Sequence, residues 1–69
     1  LITKIGIVAG EIWHFLEQRN QVALSDLLNN IEQPRDVILM SLGWLAREGH
    51  VVLRVYEQDY LVSLRRESQ

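Results

Sequence analysis

The chain has 69 residues, 48% of them apolar, and a formal net charge of -2 from nine acidic and seven basic side chains. That length supports one domain around one small core, and with no cysteine there is neither a disulfide staple nor thiol chemistry. Two histidines without cysteine make no recognisable zinc set, and no run approaches the roughly 20 apolar residues that cross a bilayer.

The first periodic segment places Ile5, Val8, Ala9, Ile12 and Leu16 on one helical stripe, with Trp13 and Phe15 on its flanks. This spacing predicts a helix over residues 4–19, with Thr3 as its N-cap and Glu11, His14, Glu17 and Gln18 on the wetter side. Gly6 and Gly10 each weaken it by roughly 1 kcal/mol. Either another element approaches closely there, or the two glycines simply lie on the surface of a helix held by packing.

A short extended stretch near Gln21-Val22 leads into a second helix, residues 24–30, with Leu24, Leu27, Leu28 and Ile31 on its apolar side. Ala23 falls in the N-cap slot and cannot cap, while Asp26 faces the positive end of the helix dipole. Pro34 opens a third helix, residues 34–48, where its missing N–H costs nothing. Gly49 is placed to end that helix in a left-handed conformation.

Two strands follow, near 51–56 and 60–64. A tight turn at Gln58-Asp59, or equally a four-residue connection that keeps the register, would set Val55 opposite Val62 and Leu53 opposite Leu64, on one face with Val51. Arg54, Tyr56, Leu61 and Ser63 would share the other face. Helix, short strand, helix, helix and hairpin in that order describe an α+β winged helix-turn-helix, a single domain over residues 1–69.

The third helix is unusual for that architecture. Ile38, Leu42 and Leu45 form one stripe, Val37, Met40 and Trp44 a second, and Leu39, Gly43 and Ala46 a third. One core needs only one broad apolar face, so the surplus points to a second contact. Trp44 reads either as a wedge between this helix and the hairpin or as an interface anchor. DNA reading would instead call for arginine, lysine, asparagine, glutamine or serine on the exposed side. Lys4 is the single lysine, and Glu57 and Asp59 would carry negative charge at the wing tip.

Two runs also carry a family resemblance, the first Ile5-Gly6 with Ala9-Gly10-Glu11-Ile12-Trp13. The second and more specific is Leu42-Gly43-Trp44-Leu45-Ala46-Arg47-Glu48. With them, nearly the whole chain resembles small winged helix-turn-helix proteins of bacteria and archaea that form an uncharacterised domain family. The resemblance implies the fold and a homodimer, and no established substrate, ligand or operator. Ala23 departs from the serine or threonine such domains commonly carry at that cap.

Two functions therefore stand side by side. One is a non-enzymatic module that dimerises or docks on protein through Leu39, Met40, Trp44, Tyr56 and Leu61. The other is a DNA-binding regulator whose Arg35, Arg54, Arg65 and Arg66 contact phosphates. A structural accessory domain of a longer protein is a third reading, since the chain opens on Leu1 rather than methionine. Catalysis has no support, because His14 has only Glu11 and Glu17 as helical neighbours and no nucleophile. No cofactor, metal or small-molecule ligand is indicated, and without a secretion signal a cytoplasmic setting is expected.

Overall fold

A computed structural model describes residues 1–66. Its elements run α1 (Ile2–Glu17), β1 (Val22–Ala23), α2 (Leu24–Asn30), α3 (Arg35–Arg47), β2 (Val51–Tyr56) and β3 (Asp59–Leu64). This is the expected three helices and hairpin, with a third strand that makes the sheet order β1-β3-β2.

Helix α1 begins two residues earlier than its periodicity suggests. Leu1 is the N-cap without a side-chain bond, and the Ile5 N–H already reaches the Leu1 carbonyl at 2.9 Å. Thr3 is therefore inside the helix and caps nothing. No proline or turn residue stops the first turn from propagating, and that decides the boundary. At the other end the helix closes at Glu17 rather than at residue 19. The Arg19 guanidinium turns back over the Phe15 ring at 3.8 Å and donates to the Phe15 carbonyl. A cation there satisfies a terminal carbonyl and suits the negative end of the helix dipole.

The α2 and α3 boundaries follow their local chemistry. Ala23 is the uncapped N-cap of α2, and Asp26 lies in the first turn as expected. Pro34 is the extended N-cap residue of α3 rather than its first helical residue. The helix ends in a Schellman motif: Gly49 has φ +82, its N–H bonds the Ala46 carbonyl at 3.1 Å, and the His50 N–H bonds the Leu45 carbonyl at 2.9 Å. This reversal sends the chain straight into β2.

One stripe from each element fills the core. Val8, Ile12 and Leu16 of α1 meet Ile38, Leu42 and Leu45 of α3, and Leu27, Ile31, Val51, Val62 and Leu64 close the remaining sides. Ser41 is also fully buried, its hydroxyl donating to the Val37 carbonyl at 2.7 Å. An added Cβ at Gly6, Gly10 or Gly43 would meet nothing within 4 Å. Close approach inside the molecule is thus not what these helical glycines serve.

The hairpin register differs from the expected one by two residues. Leu53 pairs with Val62, Val55 with Tyr60 and Val51 with Leu64, around a two-residue loop at Glu57-Gln58. Asp59 belongs to β3 rather than to the turn, because its carboxylate is engaged. It accepts the Ser25 hydroxyl and the Tyr60 N–H, each at 2.7 Å. An even shift keeps every side chain on its expected face, but position across the sheet and along it changes the outcome, β3 being central and β2 an edge. Val51, Val62 and Leu64 are buried, whereas Leu53 and Val55 stay 45% and 78% exposed on the same face.

Glu57 sits at φ +56, in the left-handed region where a Cβ is unfavourable. Glu57→Gly should raise stability by about 1 kcal/mol. A urea transition with a higher midpoint and unchanged slope is the expected readout; a lower midpoint would refute it.

The Ser25 hydroxyl, and then the Tyr60 N–H, hold the Asp59 carboxyl below the ordinary carboxylate range. Its contribution to stability is therefore present at neutral pH and lost as pH falls through the lowered folded value. Asp59→Asn should flatten the acid limb of the stability curve between about pH 5 and pH 2. Parallel melting profiles for the two proteins across that range would refute this.

Candidate interaction surface

Helix α3 packs against α1 along one side and against β2 at its C-terminal end. Its inward stripe is Val37, Ile38, Ser41, Leu42 and Leu45. What remains outside is largely apolar: Leu39, Met40 and Trp44 are 40–48% exposed, and Gly43 lies between them. Ser41, the polar residue in the middle of the helix, points into the core. The outer side of α3 thus carries almost no hydrogen-bonding side chain between Asp36 and Arg47.

These exposed groups separate onto two sides. Leu39 and Gly43, one turn apart, face the wing. There they line an apolar hollow of about 200 Å³ with Leu24, Leu53 and Tyr60, floored by Leu42 and Val62. Trp44 turns the other way and shares hollows with Ile2, Ile5 and Gly6 of α1 and with Gly10 and Trp13. Met40 sits one turn before Trp44 on that flank. Trp44 is consequently no wedge between α3 and the sheet. Its ring lies beside His50, with centroids 6.3 Å apart, and half of it meets solvent.

The five residues singled out from the sequence therefore do not form one face. Leu39 belongs to the α3–wing hollow, while Met40 and Trp44 belong to the α1 flank. Tyr56 and half-buried Leu61 line a third hollow at the outer side of the wing, with Ala23 and Gln58. Sequence reasoning missed Leu53 and Val55 because their alternation assigned them to the core face, and it assigned Tyr60, next to them across the hairpin, to neither face. They lie on that face, but at the edge strand β2 and toward the wing tip, where the helices cover them only in part. Alternation within one strand carries no signal of which strand becomes the sheet edge.

The arginines are dispersed as well. Arg35 opens α3 and borders a polar hollow with Ser25, Asn29, Asp59 and Tyr60, at the wing tip. Arg54 stands on the outer face opposite Leu61. Arg65 and Arg66 follow β3 at the base of the sheet, where the Arg65 N–H bonds the His50 carbonyl and the Arg66 guanidinium reaches the Arg19 carbonyl at 3.4 Å. Tip and base are separated by the length of β3, roughly 20 Å. The expected acidic tip is also reduced to Glu57, since the Asp59 carboxylate is turned onto α2.

His14 bonds Glu17 at 3.1 Å on the open surface of α1. Among the described residues no group of three or more His, Asp or Glu side chains is placed to hold a metal ion. No helix among them is long and apolar enough to cross a membrane.

An uncharacterized protein of Methanocaldococcus jannaschii is 28% identical over 64 residues, covering 90% of this chain and 91% of that protein. The sequence profile of a winged helix-turn-helix domain family (DUF2582) matches residues 2–64, from the first turn of α1 to the last residue of β3. By that match, and by an element order that agrees with it, the chain belongs to the winged helix-turn-helix domain family DUF2582.

Proposed function

We propose that this domain is a non-enzymatic winged-helix module that acts through protein–protein contact, as a homodimer. The observation that carries the reading is the chemistry of the face between α3 and the wing. Where a DNA reader needs donors and cations, this face offers Leu39, Gly43, Leu53, Val55 and Tyr60. An apolar surface so placed, on a protein with so little interior, favours association over solvation. Of the residues singled out from the sequence, only Leu39 lies in this face; Met40 and Trp44 belong to the α1 flank, and Tyr56 and Leu61 to the outer side of the wing.

Sedimentation equilibrium at micromolar concentrations and above tests this. The expected result is a monomer–dimer equilibrium, and a single 8.0 kDa species at several hundred micromolar would refute it. Leu39→Glu should weaken the dimer by about tenfold or more while the domain remains folded, because Leu39 is 40% exposed.

A DNA-binding regulator using Arg35, Arg54, Arg65 and Arg66 fits less well, since those groups are dispersed over the wing tip, the outer sheet face and the base of the sheet. Any binding to DNA should be weak, insensitive to sequence and steeply reduced by salt. Titration of mixed and selected duplexes near physiological salt checks this; nanomolar affinity with about a hundredfold sequence preference would restore the regulator.

A further inference from the structure

The dimer reading above leaves open how two copies meet, and the free edge of the sheet supplies a geometry. Strand β3 is paired on both sides, by β1 and by β2, so β2 is an edge strand. A two-residue loop closes on a hydrogen-bonded pair, here Tyr56 with Asp59. Antiparallel pairs alternate, so Arg54–Leu61 and Val52–Ser63 are the next hydrogen-bonded pairs. The Arg65 N–H on the His50 carbonyl at 2.9 Å continues the same series and fixes its phase. The backbone N–H and C=O groups of Val51, Leu53 and Val55 therefore point away from β3. Among the described residues nothing in the chain pairs with them.

Natural edge strands are kept short, bulged, charged or interrupted by proline. The other edge follows that rule, since β1 is two residues long. Strand β2 does not. It runs six residues in unbroken register, contains no proline, and has Arg54 as its one charge. Its Leu53 and Val55 side chains are largely exposed beside the open backbone groups. Such an edge is complementary to another extended strand, and its sequence is complementary to itself.

We propose that two copies join through antiparallel pairing of β2 with β2, centred on Leu53. The two three-stranded sheets become one continuous sheet. Leu53 then faces Leu53 and Val51 faces Val55 as hydrogen-bonded pairs, while Arg54 lies opposite Val52. Sliding the strands by one pair would centre the contact on Arg54 and set two guanidinium groups against each other, which disfavours that register. A stable dimer covers about 800 Å² on each partner, roughly one-sixth of this protein's 5068 Å² surface. Five paired residues alone provide less. Leu39 and Tyr60, which flank Leu53 in the α3–wing hollow, complete the contact from the same side of the sheet.

Amide hydrogen exchange of the full chain, followed by NMR at concentrations above and below the dissociation constant, tests the geometry beside the oligomeric state. The Leu53 and Val55 amides should exchange about tenfold or more slowly in the dimer than in the diluted monomer. The Val52 and Arg54 amides, already bonded to β3, should change little. Leu53→Pro removes a donor that the monomer's own ladder does not use, and should yield a folded monomer. Val55→Lys, which keeps its N–H and places charge on the edge, should shift the equilibrium the same way if the proline variant fails to fold. A dimer whose Leu53 and Val55 amides stay open would overturn edge pairing and leave the homodimer standing. A chain that remains monomeric at every concentration would overturn both.

Discussion

The packing of α1 along α3 is the contact on which the rest of this structure depends. Val8, Ile12 and Leu16 lie against Ile38, Leu42 and Leu45, and most of them are inaccessible to solvent. Each such side chain contributes about 1.5–3 kcal/mol on burial, whereas a domain of this size retains only about 3–10 kcal/mol in total. Once α3 is fixed on α1, its Schellman end determines where β2 begins, and β2 determines where the sheet can close over α2.

The same contact explains why so much of α3 stays outside. A helix can turn only one broad face toward one neighbour, and α1 takes the Ile38–Leu42–Leu45 stripe. The sheet is too small to cover a second stripe, since its buried contribution is Val51, Val62 and Leu64. Leu39 and Gly43 are left on one side of the buried stripe, Met40 and Trp44 on the other. Helical glycines with open space around them belong to the same picture. They lower the intrinsic stability of α1 and α3 without relieving any crowding within the molecule.

Polar chemistry in this domain serves mainly to position elements. Ser25 and Asp59 connect the start of α2 to the start of β3, 34 residues apart in sequence. Arg19 closes α1 over Phe15, and Arg66 reaches the Arg19 carbonyl from the end of the sheet. Gln33 donates to the Glu11 carboxylate at 3.1 Å, linking the turn before α3 to the outer side of α1. These contacts are exposed and individually weak, yet each joins segments that the hydrophobic core alone would hold only loosely.

By itself the sequence determined the order and type of every element. Periodicity, Pro34 and Gly49 act through local sterics and backbone hydrogen bonding, which a linear string records. It also showed that α3 has more apolar surface than one core can take, because that is a count around a circumference. Tertiary structure decided which surplus residues meet each other. Leu39 and Trp44 look alike in sequence but lie on opposite flanks of α3, and Ser41 looks available but is buried. The hairpin register depended on Asp59, whose Ser25 partner in α2 no local rule could anticipate. Leu53 and Val55 alternate as core residues should, and they stay exposed because β2 is the edge of the sheet and Val55 lies toward its tip. Which strand becomes the edge is set by how the sheet assembles on the helices, a property of the assembled chain rather than of any segment.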